Sequence, residues 1–246
     1  MKKYIGPLIV AILSIPLLGA APAQAAVSLT SVSLSPTTAI INGDANCSYA
    51  ITVTAKVYDA VADADQATDV YATAYDPSGY WVDNIYLRYV SYSGDYVYFN
   101  RTLYLCGYDD PGSYKLVTEV YWQDATGADQ PAITRTSSFS VKRPTSLTYN
   151  ASPEPAKKGS YLTHSGRLMF DPYAPGSMYG ASGITLTIAF RQAGTTSYVT
   201  KGTVVTGAGG YYSKKLQTSA DGTWRITYPG TSARQSQVKT DYVDTY

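Results

Sequence analysis

Histidine occurs once in this 246-residue chain, at position 164, and glutamate twice, at Glu119 and Glu154. Serine or cysteine nucleophiles need an imidazole beside them to take the proton. His164 lies inside the strand-like stretch Tyr161-Leu162-Thr163-His164-Ser165, and the chain has no G-x-S-x-G elbow. A strand histidine satisfied by its neighbours is therefore expected. Zinc is excluded on similar grounds, because one histidine and two cysteines supply too few nitrogen and sulfur ligands. A glycosidase needs two carboxylates at a set separation. Glu119 falls in a strand-like stretch and Glu154 in a proline-flanked segment of the other half, so the sequence pairs neither. No enzyme is expected, although the many aspartates keep an enzyme of unknown type as a third reading.

Long apolar runs are missing beyond Leu18, so no later segment reaches the roughly 20 residues of a membrane span. Lysine and arginine appear singly or in pairs such as Lys157-Lys158 and Lys214-Lys215, without the continuous basic field of a duplex binder. Nucleic acid is not an expected partner. Helix formers are also scarce. Twenty-five tyrosines against four phenylalanines describe a chain rich in strand formers.

At the N-terminus, Lys2 and Lys3 precede an apolar run from Ile5 to Leu18, and Ala23-Gln24-Ala25 supplies small residues for cleavage after Ala25. Residues 1–25 thus read as a secretory signal peptide, which predicts a secreted, extracellular protein with no membrane span in its mature chain. Loss of Lys2 and Lys3 leaves 17 basic against 18 acidic side chains, a formal charge of −1. The remaining 221 residues fit two domains.

Val141-Lys142-Arg143-Pro144-Thr145 separates two stretches of similar pattern, giving domains at 26–142 and 143–246. Alternation marks seven strands in each, near 28–35, 49–58, 68–75, 80–92, 95–105, 113–122 and 132–141, then 145–150, 160–170, 183–191, 197–205, 211–218, 223–228 and 238–244. Thr206-Gly207-Ala208-Gly209-Gly210 reads as a hairpin connection. Asp110-Pro111-Gly112-Ser113-Tyr114 and Asp221-Gly222-Thr223-Trp224 each look like the turn-plus-aromatic corner before strand F of immunoglobulin-like folds. The fold class is all-β, two tandem immunoglobulin-like β-sandwiches.

The second half also resembles a family through Asn150-Ala151-Ser152-Pro153-Glu154-Pro155 with Lys157-Lys158-Gly159, Ser165-Gly166-Arg167-Leu168, Phe190-Arg191, Asp221-Gly222-Thr223-Trp224-Arg225 and Asp241-Tyr242-Val243-Asp244. These residues are similar to the immunoglobulin-like domain at the C-terminus of secreted actinobacterial proteins, some of which are labelled calcium-binding. The resemblance implies fold and export, not an activity. Asp171-Pro172-Tyr173-Ala174-Pro175-Gly176 departs from the usual pattern, and the first half resembles no family.

Cys47 and Cys106 are the only cysteines, and export makes a disulfide between them the expected state. In an immunoglobulin-like sheet the second strand starts opposite the end of the fifth, which is where the two cysteines fall. Asp59, Asp63, Asp65 and Asp69 cluster between the second and third strands and form a candidate Ca2+ site, although the glycine and terminal glutamate of an EF-hand are missing. No other cofactor is expected.

The most unusual feature is aromatic. On strict alternation, the hairpin from Tyr80 to Leu105 turns Tyr80, Tyr86, Arg88, Tyr92, Tyr96, Tyr98 and Tyr104 away from the core. Tyrosine offers flat area and a hydroxyl, suited either to stacking on sugars and anchoring proteins or to cross-strand pairing on an exposed sheet. The reading is a secreted, non-enzymatic binding or scaffold protein that contacts an extracellular protein or polysaccharide through this face. A calcium-binding extracellular protein is the alternative. Exposed strand edges also permit strand addition by a partner chain.

Overall fold

The computed structural model of the chain describes residues 27–58, 68–124, 126–172 and 176–246. The expected signal peptide lies outside these residues, as do Asp59, Asp63 and Asp65. The chain is all-β and folds as immunoglobulin-like sandwiches, each with its own core. One core is drawn from residues between Val27 and Val141, the other from residues between Leu147 and Val243.

The N-terminal sandwich is built from β1 (Ser28–Ser35), β2 (Thr38–Ile40), β3 (Tyr49–Tyr58), β4 (Thr68–Tyr75), β5 (Trp81–Ser93), β6 (Tyr96–Leu105), β7 (Gly112–Trp122) and β8 (Ile133–Lys142). Their order is β1-β3-β6-β5-β4-β7-β8-β2. Strand β5 belongs to both layers: its first half pairs with β4, and the stretch from Arg88 to Ser93 pairs with β6. The layers therefore meet around a corner at β5, and β1 and β2 are the end strands of the continuous sheet. Period-2 alternation explains the core, since Ile51, Val53, Ala55 and Val57 of β3 are all fully buried while their neighbours are not.

The β4–β5 turn is fixed by Asp76, whose carboxylate accepts the backbone N–H groups of Ser78 at 2.9 Å and Tyr80 at 2.8 Å. The corner before β7 forms as expected. Tyr114 is buried, stacks on Phe139 and donates its hydroxyl to the carbonyl of Asp110 at 2.7 Å. Cys47 and Cys106 are bonded. They sit where Tyr49 of β3 faces Leu105 of β6 in the antiparallel register.

The C-terminal sandwich comprises β9 (Thr145–Leu147), β10 (Asn150–Ser152), β11 (Tyr161–Phe170), β12 (Tyr179–Gly180), β13 (Thr185–Gln192), β14 (Val199–Val205), β15 (Tyr211–Gln217), β16 (Gly222–Tyr228) and β17 (Gln237–Val243). One sheet gathers β9, β10, β12 and β15 around β11, and the other runs β14-β13-β16-β17. The segment Thr206–Gly210 is not a hairpin. β14 and β15 belong to different sheets, so this segment carries the chain from one layer to the other, through a 3-10 turn at Ala208–Gly210. The second corner differs chemically from the first, because Trp224 is buried against Phe190 and His164 and its indole N–H has no hydrogen-bond partner. Among the described residues no helix is long and apolar enough to cross a membrane.

Candidate functional site

The tyrosines of the first sandwich divide among separate surfaces, because β5 serves both layers and a bulge in it moves Tyr92. Pairing of β5 with β6 shifts register between Tyr89 and Ser91. One extra residue inverts the alternation that follows it. Ser91 therefore lies opposite Tyr98 on the outer face, while Tyr92 lies opposite buried Val97 and packs its ring 5.1 Å from that of Tyr89. The single seven-residue face expected from alternation is not what the chain builds.

Tyr96 and Tyr98 stay on the outer face of β3 and β6. Tyr96 meets Tyr58 at 5.6 Å, and the Lys56 ammonium sits 3.8 Å from the ring centre of Tyr96 and 5.7 Å from that of Tyr98. Arg88 lies opposite Asn100, on the outside of the corner. Tyr80 projects from the β4–β5 turn and is exposed.

Tyr86 belongs to a second surface, the outer face of β5, β4 and β7. It lies opposite Tyr71, with ring centres 5.3 Å apart, and Tyr71 in turn meets Tyr121 of β7 edge to face at 5.9 Å. Beside these rings a groove of about 500 Å3 is lined by Asp69, Tyr71, Asn84, Glu119 and Tyr121. Asn84 donates to the Thr73 hydroxyl at 2.7 Å, which fixes its amide. Partial burial raises the Tyr86 phenol above its ordinary range, and the nearby Asp69 carboxylate adds to this. The Tyr121 phenol is raised chiefly by the charge of Glu119. The groove thus combines aromatic rings, two carboxylates and a fixed amide.

Asp69 is the one member of the expected calcium cluster among the described residues, and it lines this groove. The described residues hold no group of three or more carboxylate, imidazole or thiol side chains arranged for a metal ion. Glu119, which the sequence left without a partner, comes beside Asp69 because Asp69 pairs with Tyr121 and Tyr71 with Glu119. Tyr71 and Tyr121 were legible only through the β4–β7 register, which no local pattern encodes.

Tyr104 contributes to a third surface. A groove of about 490 Å3 beside the disulfide is lined by Trp81, Tyr104, Tyr108 and the carboxylates of Asp76, Asp83, Asp109 and Asp110. Trp81 and Tyr108 are each 63% exposed. Asp109 is raised above the usual carboxylate range by burial, partly offset by the backbone N–H of Cys106, which it accepts at 2.8 Å.

His164 is fully buried in the second core. Its Nδ1 shares a hydrogen bond with the Tyr149 hydroxyl at 2.8 Å, its ring packs 4.4 Å from Trp224, and burial lowers its pKa to about 4. It packs the core and reaches no groove described above.

No family model matches the chain, and no curated protein matches it in sequence. Similar solved structures include a DUF4785 family protein of Legionella pneumophila, at 16% identity and TM-score 0.42, covering 87% of this chain and 56% of that one. The mouse nectin-like molecule 4 ectodomain matches at 11% identity and TM-score 0.30, covering 87% and 64%. The Escherichia coli adhesin FdeC matches at 17% identity and TM-score 0.33, covering 89% and 66%. The chain spans just over half the length of the Legionella protein. At these identities the likeness concerns architecture alone.

Proposed function

We propose that the chain is a secreted, non-enzymatic binding protein whose first sandwich holds an extracellular polysaccharide in the groove between β5, β4 and β7. One observation carries this reading: Tyr71, Tyr86 and Tyr121 form a contiguous ring cluster directly beside Asp69, Glu119 and Asn84. Sugars present apolar C–H faces and ordered hydroxyls. Aromatic rings cover the former, and carboxylate oxygens and a fixed amide bond the latter. Tyr86 and Tyr121 are each 45% exposed, so ring area is available without a rearrangement of the sheet.

The same features speak against turnover. Asp69 is exposed, and both carboxylates lie beside tyrosine rings at the rim of an open groove, an arrangement that presents acceptors to a ligand. A catalytic acid would instead be secluded in an apolar pocket. The disulfide supports an oxidising destination, and the C-terminal sandwich, with its resemblance to modules of secreted actinobacterial proteins, serves as the second structural unit.

Co-sedimentation of the full chain with insoluble cellulose and chitin tests the proposal. Retention that is lost in Tyr71→Ala/Tyr86→Ala/Tyr121→Ala, with an unchanged thermal melt, supports it. Retention that survives this change, or release of soluble sugar from either polymer, overturns it.

A further inference from the structure

The near-neutral charge of the chain hides a sharp division. Residues 26–142 carry thirteen acidic against six basic side chains, a net −7, whereas residues 143–246 carry five acidic against eleven basic, a net +6. The positive half has an unusual surface. In the β14-β13-β16-β17 sheet, Leu186, Ile188 and Phe190 face the core, so alternate residues face outward. Two rows cross that outer face: Thr203, Thr187, Thr227 and Val238 in one, and Thr200, Ala189, Arg225 and Thr240 in the next. Neighbouring strands lie about 4.8 Å apart, which brings the threonine hydroxyls of neighbouring strands close together, with the Arg225 guanidinium set inside the second row between Ala189 and Thr240.

Arg225 and Arg191 converge on one ring. Their guanidinium carbons lie 3.9 Å and 5.1 Å from the ring centre of Tyr198. Arg191 reaches the Thr223 hydroxyl at 3.4 Å, and the Nε of Arg225 is buried without a hydrogen-bond partner. Among the described residues neither Arg191 nor Arg225 has a carboxylate within ion-pair distance, so neither is neutralised. Two guanidinium groups held against a single ring repel one another, and an anion between or beside them removes that cost.

We infer that this outer face is a second binding surface, and that its ligand is a polysaccharide bearing carboxylates, a uronate polymer. Charge complementarity selects an anion, the planar donor forks of two arginines match carboxylates, and the threonine rows match the hydroxyls that flank each carboxylate along such a chain. A nucleic acid fits less well. The Tyr198 ring is already occupied by guanidinium groups and offers no platform for a base, and a flat four-stranded face does not enter a groove. The inference is independent of the groove on the first sandwich.

Affinity electrophoresis of the full chain in gels containing polygalacturonate tests it, with the fully methyl-esterified polymer and single-stranded DNA of equal charge as comparators. Polygalacturonate is expected to retard the chain more than either comparator. Arg191→Ser/Arg225→Ser is expected to weaken retardation by about tenfold or more. Lys157→Ser/Lys158→Ser, which removes equal charge elsewhere on the same sandwich, should leave it intact, as should Tyr71→Ala/Tyr86→Ala/Tyr121→Ala. If the serine variant fails to fold, Arg191→Lys/Arg225→Lys keeps the charge, loses the planar forks and should still weaken retardation. Absence of retardation, equal retardation by the esterified polymer or by DNA, or equal loss in the Lys157/Lys158 variant would each overturn the inference.

Discussion

Arg143 places a guanidinium nitrogen 3.9 Å from the carboxylate of Asp171 and donates from another to the carbonyl of Asp109 at 3.3 Å. The first partner belongs to the C-terminal sandwich and the second to the loop that precedes β7. Arg143 is itself fully buried, and its backbone bonds to Ala233 and Gln235. A linker residue thus ties its own sandwich to its neighbour. Arg234 completes the cluster by donating to the Asp171 carbonyl while its guanidinium lies 4.8 Å from the Phe170 ring centre. Removing one member of a buried charge pair leaves the other desolvated and uncompensated. Arg143→Ala is expected to cost on the order of 3 kcal/mol in chemical denaturation. It should also broaden the distance distribution in solution scattering, whereas substitution of the exposed Lys157 should do neither.

His164 predicts a pH dependence with a definite sign. Its folded pKa is depressed to about 4, mainly by burial and against the charge of Asp241, while an unfolded histidine titrates near 6.5. The unfolded chain therefore takes up a proton that the folded chain refuses between these values. The His164 contribution is complete above pH 6.5, falls as pH drops toward 4 and levels below it, amounting to about 3 kcal/mol. Burial holds the carboxyls of Asp109, Glu154 and Asp171 above their usual range, and these act in the opposite sense. The measurement is thus a difference: urea unfolding of the native chain and of His164→Gln at several pH values. The gap between the two curves should narrow from pH 7 to pH 4.

The Cys47–Cys106 bond closes a loop with a sequence separation of 59 residues. In the chain-entropy view, a loop of that length stabilises the fold by about 4 kcal/mol. Cys47 lies on the surface, with its sulfur 3.8 Å from the Tyr108 hydroxyl, so a small reductant can reach it. Reduction should lower the melting temperature of the first sandwich and leave that of the second unchanged. A single transition that moves as a whole would show instead that the two unfold together.

Strand positions were legible because burial follows a period of two, and the β3 row from Ile51 to Val57 is a direct instance. The pieces missed, β2, β10 and β12, are two or three residues long, too short to show a period. The tyrosine surface was legible in composition but not in layout. A single bulge at β5 moved Tyr92 to the other face, and Tyr71 and Tyr121 joined Tyr86 through pairings between strands distant in sequence. The charge of each half could be counted directly, yet the convergence of Arg191 and Arg225 on Tyr198 depends on the β13–β16 register.

The corner before β7 offers a last test, because two residues there fail for different reasons. Gly112 has φ 154°, a backbone conformation L side chains rarely adopt, and a Cβ built on it would lie 2.5 Å from Cγ of Pro77. Pro77 is a rigid ring within the turn fixed by Asp76, so it yields little. Gly112→Ala should therefore destabilise the first sandwich by roughly 1–3 kcal/mol through overpacking, with strain added. Tyr114→Phe keeps the stacking on Phe139 and loses one hydrogen bond, leaving the Asp110 carbonyl to find another partner; about 1 kcal/mol is expected. Asp110 and Asp76 both line the groove beside the disulfide. If the corner sets that groove, Gly112→Ala should also alter Trp81 fluorescence in the folded state, while Tyr114→Phe should not. An unchanged melt for Gly112→Ala would mean that the turn moves aside, and that Asp76 does not hold it.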